Sequence, residues 1–426
     1  MDLKSQIELA KKGALRIASI DGNSKNKVLE RISKAINENR EEIITENKKD
    51  LKEAEKIGLS GAIIKRLKVD NKKIDEMVKG IESVIDLDDP VGNILMITQL
   101  DDSLELQKIT TPIGVIGVVF ESRPDALVQI STLCIKSGNA VILKGGSEAI
   151  NSNRILFDLI KNAVETDDRF KDIMQLVETR QDVNDLLKLD DYIDLMIPRG
   201  SNALVKYIKG NTKIPVLGHA DGVCHLYVDG DADLDVALSV SFDSKCQYAA
   251  VCNAIETLLV HRSIASEFLP KMKELFDQEN VELRGDPEVC EIIKANEATD
   301  DDWTTEYNDM VLSIKVVGSV EEAIEHINRY GSHHTDAIVT RNEAVSRLFL
   351  DNVDSSSVMY NCSTRFADGY RYGLGSEVGI STSKIHSRGP VGLEGLVIYK
   401  YKLFGAGQIV ADYAEGRSNF THKRIL

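Results

Sequence analysis

Residues Ile113–Phe120, IGVIGVVF, predict the central strand of the fold, and ESRPD at 121–125 follows them directly. A run of Val, Ile and Gly without a charged side chain predicts a strand buried on both faces, as in parallel sheets. Ser122 and Arg123 then fall at the carboxyl end of the strand, where α/β proteins bind ligands. A helix that starts at Pro124 beside a surface ion pair is the alternative interpretation of this turn.

Helices and strands alternate around this stretch. Residues 1–90 have the apolar spacing of helices, one of them with Ser24 as its predicted N-cap. Strands begin near Gly92, and a second alternating region runs from about Asn253 to Ser381. This order predicts right-handed crossovers and mostly parallel sheets, and therefore an α/β fold. We expect a first domain over 1–245, a second over 246–393, a small β element near 93–111 and a tail over 394–426.

Composition narrows the class of protein. A chain of 426 residues, 42% of them hydrophobic, is long enough for two or more domains. The net charge of −16 argues against nucleic acid as the main partner, although a few local arginines could still bind an anionic small molecule. No apolar run reaches the roughly 18 residues of a membrane span, and the N-terminus predicts an amphipathic helix without a signal-peptide core. Six scattered cysteines predict free thiols and a cytoplasmic protein.

Two turns could hold phosphate groups. Lys144-Gly-Gly-Ser147 and Pro198-Arg-Gly-Ser201 each follow a predicted strand and precede a predicted helix, for which Ser201 is the expected N-cap. A cation and backbone amides in this context suit a pyrophosphate. An ordinary strand-to-helix turn is the alternative for each, but two such turns in one sheet favour a dinucleotide. Gly373–Gly379, with the spacing GxGxxxG and no strand directly before it, is interpreted as a loop.

Cys252 is the candidate nucleophile. It lies in VCNAIETLLV at 251–260, just before an apolar, strand-like run. A thiol at a loop-to-strand junction can be held in a rigid, partly open position, as a nucleophile requires, whereas a buried cysteine acting as a small hydrophobe is the alternative. The neighbouring Asn253 is interpreted as a local backbone cap, with a substrate contact as the alternative. Arg365 follows another predicted strand and is, with Arg123, a candidate for binding a carboxylate or phosphate.

The sequence predicts no metal site. Cys246 and Cys252 are not at a metal-ligand spacing, and no sulfur or carboxylate surrounds His333 and His334 in a ligand pattern. His219 lies in a polar turn, Gly-His-Ala-Asp-Gly, where hydrogen bonding or solvation is as good an interpretation as acid–base chemistry.

Taken in order, these pieces resemble the aldehyde dehydrogenase superfamily, and more narrowly its gamma-glutamyl phosphate reductase (glutamate-5-semialdehyde dehydrogenase) branch. The resemblance covers essentially the whole chain. Its most specific segments are VVFESRPDALVQI (118–130), LKGGSEAINSN (143–153), IPRGS (197–201), VLGHADGVCH (216–225), VCNAIETLLVH (251–261), DDWTTEYNDMVLSIKVV (301–317) and STRFADGYRYGLGSEVGISTSKIHSRGPVGL (363–393).

The resemblance implies roles for individual residues. It makes the first domain the NADP(H)-binding domain, where Lys144 contacts the adenosine ribose or its 2′-phosphate and Glu148 lies close by. Gly200 and Ser201 would begin the helix beside the pyrophosphate. In the second, catalytic domain, Cys252 would be the nucleophile, and Glu306 would hold the nicotinamide ribose.

Two departures from general aldehyde dehydrogenases narrow the chemistry. Those enzymes carry an asparagine in the first-strand turn and a water-activating glutamate in an ELGGK-like turn, where this chain has about Ser122 and His219. Without the glutamate that activates water, the thioester is protected from hydrolysis. This is what an enzyme that reduces an acyl phosphate requires.

The branch implies NADPH-dependent reduction of L-glutamyl 5-phosphate to L-glutamate 5-semialdehyde and phosphate, in proline biosynthesis. A thioester on Cys252 would be the intermediate. Ser122 and the Cys252 amide would donate hydrogen bonds to the oxyanion. Arg123 or Arg365 would bind the anionic group of the substrate. The resemblance also implies a homo-oligomer, at least a dimer, that pairs strands near Leu104–Thr110 and the tail, and glutamate 5-kinase could be a partner. Another NAD(P)-dependent aldehyde dehydrogenase, or a non-catalytic binding protein, is the alternative.

Overall fold

The Val- and Ile-rich stretch ahead of Glu121 forms a strand in a computed structural model that describes residues 2–426. The strands are β1 Ile94–Asp101, β2 Leu104–Pro112, β3 Val115–Phe120, β4 Ala140–Lys144, β5 Met174–Leu176, β6 Leu195–Arg199, β7 Cys224–Val228, β8 Ile255–His261, β9 Glu282–Gly285, β10 Asn296–Glu297, β11 Val311–Val317, β12 Thr335–Val339, β13 Ser357–Tyr360, β14 Gly379–Ser381, β15 Gly389–Val391, β16 Val397–Phe404 and β17 Lys423–Arg424. The helices are α1 Leu3–Ile17, α2 Gly22–Glu38, α3 Arg40–Lys56, α4 Gly61–Leu67, α5 Asn71–Asp86, α6 Pro124–Lys136, α7 Ile150–Val164, α8 Arg180–Leu186, α9 Asn202–Gly210, α10 Leu234–Cys246, α11 Arg262–Gln278, α12 Pro287–Ile292, α13 Val320–Tyr330, α14 Glu343–Asn352 and α15 Val410–Ala414.

The chain divides into two units. The first comprises the residues up to Leu217 together with Leu374–Gly379 and Val391–Leu426, and the second comprises Gly218–Gly373 and Ile380–Pro390. The boundary after Leu217 lies upstream of the predicted one after residue 245. The reason is that β7 pairs with β8 and β12, and α10 packs against α11, so both elements belong to the second unit.

A four-stranded parallel sheet forms the centre of the first unit, in the order β5-β4-β3-β6. Every residue of β3 is buried, as the apolar run predicts. The strand begins at Val115, two residues later than predicted, because Gly114 has a φ of +133° that breaks the extended conformation. The carboxyl ends of β3, β4 and β6 lie at one edge, which brings the predicted ligand turns together.

Long amphipathic helices precede this sheet. The prediction that Ser24 caps one of them is wrong, since α2 begins at Gly22 with Asp21 as its N-cap. The Asp21 carboxylate accepts hydrogen bonds from the Ser24 N–H at 2.9 Å and from its hydroxyl at 2.8 Å. Asp and Ser are both good capping residues, and here the earlier of the two takes the position.

A separate antiparallel sheet has the order β16-β2-β1-β17. It contains the predicted small β element near 93–111 and a strand from the tail, which confirms this part of the fold class. β16 lies at one edge of the sheet, and its residues after Val397 are exposed.

The second unit is built on a seven-stranded parallel sheet in the order β10-β9-β11-β8-β7-β12-β13. β8, which directly follows the Cys252 loop, lies inside this sheet and is buried except at its last residue.

Gly373 and Gly375 have φ values of +77° and +72°, so the glycine-containing segment 373–379 begins as the predicted loop. In the described part of the chain no helix is long and apolar enough to cross a membrane.

Candidate active site

A cavity of about 910 Å³ lies at the carboxyl edge of the sheet in the first unit. Four of the residues predicted to contact the cofactor or substrate line it: Ser122, Lys144, Glu148 and Ser201. The size is within the usual range for small-molecule sites.

Ser122 is held by Glu148. Its backbone has a φ of +49°, the left-handed region that non-glycine residues rarely adopt. In this conformation its N–H and its hydroxyl donate to Glu148 Oε1, at 2.6 and 2.8 Å. Glu148 belongs to the short 3-10 turn Ser147–Ala149 after Lys144, so one carboxylate connects the ends of β3 and β4.

A second carboxylate lies at the start of α9. Ser201 is the N-cap residue by its extended backbone, as predicted, but within the described chain its own side chain makes no capping hydrogen bond. Instead its N–H donates to Glu121 Oε2 at 2.7 Å. A Cβ on Gly200 would meet the same Glu121 carboxylate, so a side chain there would require that carboxylate to turn aside. Glu121 thus satisfies the helix N-terminus, and it was missed although it adjoins Ser122 in the sequence.

Arg123 lies away from this cavity. Its guanidinium forms an ion pair with Asp125 at 3.1 Å, and Lys73 contacts the same carboxylate at 3.1 Å. With Pro124 as the first residue of α6, the structure has the ion pair and helix start of the alternative interpretation. Arg123 lines a different, smaller cavity of about 140 Å³. Its role toward the substrate stays a prediction.

In the second unit, Cys252 is half-buried in the turn that leads into β8. Its neighbour Asn253 is not a local cap, because its side-chain N–H donates 2.8 Å to the carbonyl of Ala367, far along the chain. Gly222 packs directly against the nucleophile: a Cβ on Gly222 would lie 2.7 Å from both Cα and Cβ of Cys252. The position of the thiol is therefore fixed from two sides.

Two histidines accompany this thiol. Cys252 Sγ, one ring nitrogen of His219 and one of His334 all lie within 4.8 Å of one another. His219 Nδ1 is 2.9 Å from the carbonyl oxygen of Ile380, and the two imidazole rings meet edge to face with centroids 4.8 Å apart. A carbonyl only accepts, so His219 carries its proton on Nδ1, and in the neutral ring Nε2 is the acceptor.

Arg365 belongs to the same region. It is buried, and its Nε donates to the side chain of Gln247 at 2.9 Å. Burial and the nearby Arg371 lower the pKa of Arg365. The neighbouring segment is joined to the Cys252 turn, because Asn253 donates to the Ala367 carbonyl at 2.8 Å. Arg371 also donates to the Arg365 carbonyl at 2.7 Å.

A buried ion pair lies at the start of β8, four residues after Cys252. Lys245 at the end of α10 donates to Glu256 of β8 at 2.6 Å, and both side chains are fully buried. The other Glu256 oxygen accepts the N–H of Asn308 at 3.2 Å, in the loop that carries Glu306. Burial raises the pKa of Glu256 to about 7 against the lowering effect of Lys245. Glu256 therefore joins β8 both to α10 and to the loop of Glu306.

Similar proteins decide the family. The aldehyde dehydrogenase family model matches residues 1–298. A gamma-glutamyl phosphate reductase from Pelotomaculum thermopropionicum is 56% identical over 425 residues, covering 100% of this chain and 98% of that protein. One from Methanococcoides burtonii is also 56% identical, covering 100% and 97%. The crystal structure of the gamma-glutamyl phosphate reductase from Thermotoga maritima, 38% identical, superposes with a TM-score of 0.94 over 96% of this chain and 100% of that one. This chain belongs to the aldehyde dehydrogenase family.

Membership confirms the predicted fold class and the prediction of an oxidoreductase. Aldehyde dehydrogenases use NAD(P), and the cavity in the first unit fits such a dinucleotide by its volume and by Lys144, Gly146 and Ser147 in its wall. In this aldehyde dehydrogenase a Cβ on Gly146 would meet the end of the Glu148 side chain, so a larger residue here would require that carboxylate to move.

Sequence reasoning missed Gly222, Lys245 and Glu256, and it gave His334 no role. A lysine at a helix end and a glutamate within the apolar run IETLLV are signals of a buried pair, but only the sheet shows that they meet. His334 was considered without a sulfur neighbour, and the structure provides one in Cys252.

Proposed function

We propose that this aldehyde dehydrogenase reduces L-glutamyl 5-phosphate to L-glutamate 5-semialdehyde, with release of phosphate, in the biosynthesis of proline. The similar proteins named gamma-glutamyl phosphate reductase support the substrate. The observation that carries the proposal is the 2.8 Å hydrogen bond from Asn253 to the Ala367 carbonyl, which joins the turn of the Cys252 nucleophile to the segment of the buried Arg365, a cation for the anionic substrate.

Cys252 carries out the covalent step. Its thiolate attacks the acyl carbon, the bond from carbon to the phosphate oxygen breaks, and a thioester remains on the enzyme. His219, with Nδ1 bonded to Ile380, offers Nε2 as acceptor for the thiol proton. Arg365 holds the carboxylate or phosphate of the substrate, and its bond to Gln247 keeps the guanidinium in place.

NADPH is the proposed cofactor, and when bound it supplies the hydride for the thioester carbon. The Cys252 amide is the proposed donor to the oxyanion. Ser122 would assist only after leaving Glu148, which accepts both of its hydrogen bonds. Lys144 and Glu148 are the proposed contacts of the adenosine ribose, Gly200 and Ser201 of the pyrophosphate, and Glu306 of the nicotinamide ribose. The oxyanion then re-forms the carbonyl, the carbon–sulfur bond breaks to release the aldehyde, and the Cys252 thiolate takes its proton back.

The reverse reaction tests this function. Glutamate 5-semialdehyde and NADP⁺ are mixed with the enzyme, and the reduced cofactor is followed with and without inorganic phosphate. Strict dependence on phosphate supports the proposal. Equal rates without phosphate would mean that water cleaves the thioester, and would replace the proposal with an ordinary aldehyde dehydrogenase.

Cys246 provides a matched control for the nucleophile. Burial raises the pKa of its thiol to about 11, so it is a poor nucleophile at neutral pH. Cys252→Ala should abolish turnover and keep NADPH binding, whereas Cys246→Ser should retain most of the activity. Full activity in Cys252→Ala would refute the mechanism.

We also propose that the enzyme is at least a dimer through β16. In the described chain this strand pairs on one side only, with β2, and it exposes Tyr401, Leu403 and Phe404 by 51–58%. A long, exposed, apolar edge strand is a pairing surface. Light scattering should give the wild-type protein a mass of at least twice the 47.2 kDa of one chain. The Leu403→Lys variant should have a lower mass, because the charge disrupts pairing through β16. A monomeric wild-type protein would exclude this role. Cytoplasmic localisation and an association with glutamate 5-kinase remain predictions.

A further inference from the structure

We propose that Cys252, His219 and His334 form a binding site for a thiophilic divalent cation, with Zn²⁺ as the type, and that the bound cation blocks the thiol. The site rests on the geometry of these three side chains and is independent of the proposed substrate.

The sheet brings the three residues together. β8, β7 and β12 are neighbours and run parallel, and the three residues precede these strands in turn: Cys252 before β8, His219 before β7 and His334 before β12. They therefore meet at the amino edge of three adjacent strands, with one ligand atom from each within 4.8 Å of the others. Such convergence from three loops is typical of sites that hold a ligand between them.

Each histidine is oriented from behind by its other nitrogen. His219 Nδ1 bonds the Ile380 carbonyl at 2.9 Å, and His334 Nδ1 lies 2.9 Å from the Thr335 hydroxyl. Histidines that bind metals are usually fixed in this way, with the remote nitrogen turned to the ion. A metal would thus be bound through Nε2 of both rings.

His334 supplies an independent indication of a ligand. Its side chain is fully buried, and among residues 2–426 its Nε2 has no hydrogen-bond partner. A buried polar atom without a partner is costly, and native structures rarely keep one without a reason. A cation bound to this nitrogen would satisfy it.

The donor set selects the metal. One thiolate and two imidazoles suit Zn²⁺ and similar borderline or soft ions, with a fourth position left for water or an anion. In a tetrahedral zinc site the ligand atoms are about 3.5 Å apart, so the cluster must contract by roughly 1 Å on binding. Cys252 and His219 are only half-buried and lie in turns, which can make this adjustment.

Metal binding and catalysis exclude each other at this position. Coordination to the cation withdraws electron density from the thiolate sulfur and weakens it as a nucleophile, and the His219 nitrogen that would take the thiol proton is a ligand as well. A bound cation therefore inactivates the enzyme reversibly, and a chelator should restore it.

Cobalt titration is the direct test. Co²⁺ added to the reduced full-length protein should give a thiolate-to-metal charge-transfer absorption that saturates at one equivalent and is displaced by Zn²⁺. Cys252→Ala should lose this absorption, and His219→Asn should weaken Co²⁺ binding at least tenfold. His333→Asn and Cys246→Ser, the neighbours outside the cluster, should bind as the wild type does.

The outcomes separate this site from the proposed function. An absorption that survives unchanged in both His219→Asn and His334→Asn, or is absent from a folded wild-type protein, would overturn the metal site. Circular dichroism shows whether the His334→Asn variant folds. If that variant does not fold, Co²⁺ binding by His219→Asn alone is the test of the metal site. Protection of Cys252 from iodoacetamide by Zn²⁺ gives a second readout without turnover. An enzyme that binds Co²⁺ but does not oxidise glutamate 5-semialdehyde would refute the proposed function and leave the metal site standing.

Discussion

Replacing Gly222 with alanine should misplace Cys252. Gly222 lies in the turn before β7, and its Cα faces the backbone of the nucleophile. A Cβ at this position would lie 2.7 Å from Cα and Cβ of Cys252 and closer still to its carbonyl oxygen. These atoms belong to the backbone and the base of a side chain, so no flexible group can turn aside.

The size of the effect follows from these distances. Ordinary contacts of a Cβ begin at 3.4 Å, so the Cys252 turn must retreat by at least about 0.7 Å. A misplacement of about 1 Å at a reacting group costs roughly 10²-fold in rate. We therefore expect kcat to fall about 10- to 100-fold, with a loss of about 1–3 kcal/mol in the free energy of unfolding from overpacking.

The assay is phosphate-dependent oxidation of glutamate 5-semialdehyde, with the rate of Cys252 alkylation measured alongside. Gly210→Ala is the matched control, because within the described residues nothing lies within 4 Å of a Cβ at that position. The control should keep its activity, and NADP⁺ binding should be unchanged in both variants. A Gly222→Ala enzyme with more than half of the wild-type kcat would refute this account of how the thiol is positioned.

Two further predictions concern buried charges in the second unit. Lys245→Met leaves the Glu256 carboxylate buried without its partner and should cost about 3–5 kcal/mol in urea unfolding, while the double variant Lys245→Met/Glu256→Leu should recover most of this; equal loss in both would contradict the pairing. Burial, followed by the effect of His225, lowers the pKa of His326 from 6.5 to about 3. Below pH 6.5 His326 is protonated in the unfolded chain but stays neutral in the folded one. Lowering the pH therefore lowers the free energy of unfolding, by about 2 kcal/mol at pH 5. His326→Phe should remove that part of the pH dependence, and unchanged slopes between pH 7 and 5 would exclude it.

The elements that sequence reasoning found are those with an uninterrupted signal. β3 is apolar throughout, and the helix predicted after it is α6, which begins at Pro124 as in the alternative interpretation of that turn. β7 and α10 were missed, since β7 contains a histidine and α10 buries serines and a lysine. These polar residues are buried because tertiary partners satisfy them, as Glu256 does for Lys245, and a local pattern does not contain those partners.

The candidate site was predictable in its parts and not in its arrangement. Ser122, Lys144 and Ser201 follow strands of one sheet, so the rule that ligands bind at the carboxyl edge places them together, and they do line one cavity. The carboxylates of Glu121 and Glu148 were not expected to contact the Ser201 and Ser122 amides, because hydrogen bonds between turns depend on side-chain conformations that no spacing encodes.

The second unit uses the opposite edge of its sheet, and this explains why the surroundings of Cys252 escaped the sequence. His219 precedes it by 33 residues and His334 follows it by 82, yet both start strands adjacent to one another in the sheet. The order β8-β7-β12 is a property of the whole unit, so it alone determines which loops surround the thiol. Substitutions in any of those loops, Gly222 included, should therefore act on the reactivity of Cys252 while leaving its own sequence segment intact.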